Sequence, residues 1–204
     1  MDKKKGTADQ IGDPGDSQER NVRSDALRNL DTLVQAAKEV FAASGVDAPV
    51  REIAEKAGVG VATLYRHFPL RSDLIAAVFR RELDACVDVA PILAAELPPS
   101  VALERWLVRF AEFVGTKRGL SAALHSGDPA FNSLPAYFDA RIRPTLSELL
   151  QKAVAAGEIR SDVASDELLS AVVGLSHGER PDRPGMTQRM ISLLVDGLRF
   201  QSQI

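Results

Sequence analysis

Residues 50 to 69 read VREIAEKAGVGVATLYRHFP. Two short apolar segments sit in this stretch. The first, Val50 to Ala57, puts Ile53, Ala54 and Ala57 on one side, and Gly58-Val59-Gly60 breaks it. The second, Val61 to Phe68, is closed by Pro69. Helices this short are unstable alone and need a longer helix to pack on. A short bracing helix, a tight glycine-containing turn and a second short helix make a helix-turn-helix, whose second helix enters a major groove. Leu64 and Phe68 fall on one side of that second helix and are expected to bury. Val61, Ala62 and Thr63 lie at its start, where base edges come nearest. Val61 and Ala62 offer small apolar contacts, for example to a thymine methyl, and Thr63 offers a hydroxyl. Tyr65 and His67 can donate to phosphate. Arg51, at the start of the bracing helix, faces the same groove. Arg71 sits beside the positive N-terminal end of the next helix, where it can neutralise a phosphate. Arg28 and Arg66 read equally well as plain surface charge.

Longer helices flank the pair. Leu27, Leu30, Val34, Ala37 and Phe41 recur at three- and four-residue spacing, one face of a helix that Gly45 ends. Downstream, Ser72-Asp73 supplies capping oxygens for a helix from Leu74 to about Ala90, which Pro91 closes. The second half continues with apolar faces at Leu103 to Val114, Phe138 to Val154 (ended by Gly157), Asp166 to Ser176 and Met186 to Phe200. A polar loop, His177 to Gly185, separates the last two. No strand alternation and no solenoid-period repeat is present. Residues 1–19 hold one large apolar residue, Ile11, and are expected to form a flexible tail. The fold class expected is all-α. A helix-turn-helix domain occupies 20–72, with the motif at about 49–68, and a helical domain occupies 73–204.

Composition narrows the function. The chain has 204 residues, 45% of them apolar and 26% charged, as in a globular protein. The net charge of −3 advertises no chain-wide affinity for nucleic acid. From Arg20 to Glu82, however, ten Lys or Arg face eight Asp or Glu, whereas the rest of the chain is net acidic. A single cysteine, Cys86, excludes a disulfide framework. The longest nearly uncharged apolar stretch, Val89 to Ala95, falls far short of the roughly 20 residues a membrane helix needs. The charged N-terminus is followed by no apolar run, so no signal peptide is read and the cytoplasm is the expected location. Three histidines and one cysteine offer few nucleophile–base pairs. With no phosphate-binding glycine loop and no metal-ligand pair, neither catalysis, a cofactor nor a metal is expected.

The run from Val50 to Pro69, with Ala36-Ala37 through Phe41 and Gly45 upstream and Asp73-Leu74 downstream, resembles the signature of the TetR (tetracycline-repressor-like) family of transcriptional regulators. The resemblance covers about residues 26 to 86 and combines Ala-Gly-Val, Thr-Leu-Tyr and His-Phe at fixed spacing. It implies that Thr63, Tyr65, His67 and Arg71 touch DNA largely through phosphate, and that Arg51, Val61 and Ala62 face bases. Two positions depart from the pattern. Val50 stands where many relatives carry Thr, and Gly60 where Ser often caps the recognition helix, which holds the helix start less firmly.

The resemblance further implies a C-terminal domain that dimerises and holds a pocket for a small-molecule effector. Asp166 to Ser176 and a last helix apolar on two faces are expected to form a four-helix interface with their copy through Leu169, Val172, Val173, Met190, Ile191, Leu194, Val195 and Leu198. Two recognition helices would then lie roughly 34 Å apart and read a near-palindrome. Trp106, Phe110, Phe113, Phe131, Tyr137 and Phe138, with His125 and His177 as polar groups, are the candidate effector contacts, although aromatics at helical spacing also make ordinary core. An effector favouring the non-binding conformer would swing the helix from Leu74 to Ala90; a coupling of about 1–3 kcal/mol already gives roughly 5- to 150-fold control. Repression is the usual outcome in the family. Activation, or a helix-turn-helix turned to a protein partner, is the alternative.

Overall fold

A computed structural model describes residues 14–176 and 185–199, excluding the side chains of 14–27, 116–119, 121 and 122. The described chain is all-α: α1 (Pro14–Ser44), α2 (Val50–Lys56), α3 (Val61–His67), α4 (Arg71–Glu96), α5 (Pro99–Leu124), a 3-10 turn (Pro129–Phe131), α6 (Leu134–Ala155), α7 (Ser165–Ser176) and α8 (Met186–Arg199). The first helix thus begins inside the segment expected as a tail. Pro14 suits its first position, where a missing N–H leaves no bond unmade. The rest of the tail, the side chain of Leu27, His177 and Phe200 lie outside what is described.

The turn between α2 and α3 is set by one glycine. Gly58 has φ +69°, and its N–H donates to the Glu55 carbonyl at 3.1 Å while that of Val59 donates to Ala54 at 3.0 Å. This paired closure needs a left-handed residue after the helix end, which glycine adopts without steric cost.

The fourth helix corrects two expectations. It starts at Arg71, with Leu70 as the flanking residue; Asp73 caps from the third helical position, its Oδ2 accepting the Leu70 N–H at 3.2 Å, and Ser72 is buried rather than capping. It also runs through Pro91 to Glu96. The proline removes one backbone bond, to the carbonyl four residues earlier. Pro91 is exposed, so its ring displaces no packed neighbour. Pro144 is likewise carried inside α6.

α4 is the central element and packs on α1, α5 and α6. Its buried face, including Leu74, Ile75, Val78, Phe79, Leu83 and Cys86, is continuous with Leu33, Ala37 and Phe41 of α1 and with the core of the second half. Polar links run across the same junction. The buried Glu82 carboxylate takes Lys38 Nζ of α1 at 2.9 Å and has Arg109 of α5 at 4.0 Å. Arg81 joins Asp31 of α1 at 2.9 Å, and Arg141 of α6 meets Asp84 at 2.8 Å. One long helix therefore carries the helix-turn-helix at one end and the helical body along its length.

Candidate nucleic-acid interface

α3 buries little. Leu64 is 2% exposed, and Phe68, just past the helix, is 7% exposed. The 3.6-residue period turns the remaining side chains outward. Val61 and Tyr65 are 37% and 50% exposed, Ala62 and Arg66 are exposed, and Thr63 and His67 are half-buried. The start of α3 carries no acidic residue, and Gly60 caps it through its carbonyl, which accepts from Thr63 N–H at 2.9 Å, with no side-chain cap. Arg51 stands exposed on α2, paired with Glu55 one turn on at 2.8 Å. A pair this exposed is worth little and can be exchanged for a phosphate. Arg51, Val61, Ala62, Thr63, Tyr65 and His67 thus all belong to the helix-turn-helix unit itself, five of them on α3.

Arg71 is placed differently. Its guanidinium is partly buried, donating to the Val46 carbonyl and, at 2.7 Å, to the Ala48 carbonyl, both in the turn before α2.

The expected effector contacts separate into groups. Trp106, Phe110 and Phe113 are 0–1% exposed and form the core. Trp106 stacks on Phe110 at 5.6 Å and donates Nε1–H to the Cys86 carbonyl at 2.9 Å. Tyr137 is committed to α4, its hydroxyl donating to Asp84 at 2.7 Å. His125, Phe131 and Phe138 do line a cavity of about 270 Å³, with Phe79, Leu124, Leu134, Pro135 and Asp139 completing it. Those five were missed because they are scattered over α4, α5 and α6, and sequence periodicity carries no signal for which helix faces meet. The Cys86 thiol is buried, which pushes its pKa up to about 12 and leaves it without nucleophilic character.

The expected interface residues also divide. Leu169, Val172, Ile191, Val195 and Leu198 are at most 7% exposed within the single chain. α5 flanks both α7 and α8 and takes up these side chains, so one of the two apolar faces is internal. Val173, Met190 and Leu194 remain half-buried, and Leu193, absent from the expected set, is 62% exposed. Among the described residues no helix is long and apolar enough to cross a membrane, and none cluster as a metal site.

Comparison with known proteins agrees with this architecture. Residues 33–78 match the model of bacterial regulatory proteins of the tetR family, and residues 98–200 match the C-terminal domain of SbtR-like transcriptional regulators. A TetR transcriptional regulator of Streptomyces coelicolor is 39% identical with a TM-score of 0.73, over 84% of this chain and 99% of that one. A TetR regulatory protein of Mycobacterium vanbaalenii is 32% identical with a TM-score of 0.71, over 88% and 99%. An HTH-type transcriptional regulator of Staphylococcus aureus is 39% identical over 64 residues; the match spans 31% of this chain and 35% of that protein. The helix-turn-helix on its central helix and these whole-length likenesses place the chain in the TetR family of bacterial transcriptional regulators.

Proposed function

We propose that this regulator acts in the cytoplasm as a homodimer that binds a near-palindromic operator and represses the adjacent gene until a small molecule releases it. The observation that carries the reading is the outer face of α3. An apolar Val61 and an aromatic Tyr65 are left open to solvent on a helix whose only inward anchors are Leu64 and Phe68. Val61 and Ala62 meet base edges with Arg51, and Thr63, Tyr65 and His67 hold phosphates. The second copy packs against the half-open strip of Val173, Met190, Leu193 and Leu194 on α7 and α8, over the inward-facing Leu169, Val172, Ile191, Val195 and Leu198. The effector enters the cavity under Phe131 and Phe138. At about 270 Å³ it sits near the lower end of the size of small-molecule sites, which favours a compact, mostly apolar ligand with its polar end at His125 and Asp139.

The test is selection of duplexes from genomic DNA by the purified protein at two salt concentrations. An inverted repeat bound more weakly at high salt is the expected result, because phosphate neutralisation releases counterions. Tyr65→Ala is expected to weaken binding to all sequences alike. Recovery of no preferred sequence, or binding indifferent to salt, refutes the reading and favours a protein partner on the same face.

A further inference from the structure

Arg71 has partners of its own within the fold. It is the first residue of α4, directly after the recognition helix, and its guanidinium reaches back 23 and 25 residues to the carbonyls of Ala48 and Val46. Those carbonyls belong to the turn through which the chain enters α2. Everything between the two ends of this bridge is the helix-turn-helix. A planar fork with two nitrogens on two carbonyls fixes both distance and direction, which a single ammonium cannot do. The other fixings of the unit lie on α2 and in the core: Lys56 meets Glu39 of α1 at 2.8 Å and Ser44 meets Glu52 at 3.2 Å, but neither reaches α4. α2 buries Ile53 and Ala54 and α3 buries Leu64.

We propose that Arg71 is a positioning residue for DNA recognition. By tying the entry of α2 to the start of α4, it sets the angle at which α3 is presented, and its charge is spent on backbone carbonyls instead of DNA. This rests on the reading of α3 as the recognition helix, and it assigns Arg71 a different role from that implied by the family resemblance. The bridge also joins the recognition unit directly to the helix that runs past the effector cavity, so movement of α4 is carried into α2 and α3 from both ends of the unit.

The test compares the full-length protein with Arg71→Lys and Arg71→Ala on a duplex selected from random-sequence DNA by the unsubstituted protein. Both variants are expected to lose at least about tenfold in affinity, because contacts shifted by an ångström are lost. The slope of log affinity against log salt is expected to stay unchanged. Hydrogen exchange of the amides of α2 and α3 should quicken in both variants, with α5 to α8 unaffected. A phosphate contact behaves otherwise: Lys restores binding, and Ala lowers the slope by about 0.9 per protomer. Either result overturns the proposal, as does loss of helix throughout the chain in both variants. Should the unsubstituted protein select no duplex, the DNA reading itself fails. Exchange then decides the clamp alone: an Arg71→Lys profile like that of the unsubstituted protein overturns it, and quickened α2 and α3 amides support it.

Discussion

Glu82 and Lys38 allow a test in which the order of effects matters more than their size. The pair spans 2.9 Å between α4 and α1, with the Glu82 side chain 6% exposed and that of Lys38 32% exposed. Removing one partner of a buried pair costs about 3–5 kcal/mol when the other is stranded. Lys38→Met strands the carboxylate, leaving it only Arg109 at 4.0 Å. Discounting for that residual partner and for the exposed third of Lys38, the loss is about 2–3 kcal/mol. Glu82→Gln strands nothing comparable, because the lysine stem can carry its ammonium back into water. The glutamine remains able to hydrogen-bond, so the loss is about 1 kcal/mol. The double variant has no stranded charge and should be more stable than Lys38→Met alone. At about 2–4 °C per kcal/mol for a chain of this length, Lys38→Met lowers Tm by roughly 4–12 °C and Glu82→Gln by roughly 2–4 °C. Thermal unfolding followed by circular dichroism, at one fixed protein concentration because the proposed dimerisation would shift Tm, measures all three variants. A larger loss for Glu82→Gln than for Lys38→Met, or strict additivity in the double variant, refutes the reasoning.

Two glycines of the helix-turn-helix should respond in opposite senses. Gly58→Ala, at φ +69° with open space for the new methyl, loses about 1–2 kcal/mol from backbone strain alone. Gly60→Ser, at φ −71° in a cap position, gains a few tenths of a kcal/mol in chemical denaturation. Cys86 should resist alkylation at about pH 8 in the native protein and react at once in urea, because burial holds the thiol protonated. Glu158 accepts the Ser100 N–H at the start of α5 at 2.8 Å, and hydrogen bonds from Ser100 hold its carboxyl below the ordinary value of 4.5. A depressed carboxylate stabilises fully above its unfolded value and loses that contribution as pH falls through the folded one. Glu158→Gln should therefore show a smaller decline in Tm on acidification below pH 4.5 than the unsubstituted protein.

The helix-turn-helix was legible because its determinants are local: a left-handed glycine between two short apolar segments, with Leu64 and Phe68 marking the inner side of α3. Helix ends beyond it were less so. Proline breaks helices as a rule, so the sequence alone places the end of α4 at Pro91. The helix tolerates it where the ring points outward and neighbouring turns are held by tertiary packing, which sequence spacing does not record. The aromatic set showed the complementary failure. Phe110 and Phe113 of α5 meet Phe138 of α6 at 6.2 Å between ring centroids, and only the three-dimensional packing tells core from cavity wall. The two apolar faces of α8 imply one internal face and one interface, but the spacing does not tell which is which: Ile191, Val195 and Leu198 are covered within the chain. Arg71 illustrates a third limit. Its partners lie 23 and 25 residues back, and no local pattern announces a side chain bridging to backbone carbonyls at that distance.

Pro91 gives α4 the geometry of an unequal lever. With one backbone bond missing there, the helix has a natural pivot near its far end. At 1.5 Å per residue, Phe79 on the cavity wall lies about 18 Å from that pivot and Arg71 about 30 Å. A ligand that pushed Phe79 aside by about 1 Å would move the Arg71 end by about 1.7 Å, a mechanical advantage set by residue count alone. In the proposed two-fold dimer the components of this motion across the axis are opposite in the two copies, so the spacing of the heads changes by at most about 3.4 Å, close to one base step along a DNA strand. Under the proposed function, a disturbance no larger than a rotamer adjustment would suffice to put two recognition helices out of register with their half-sites.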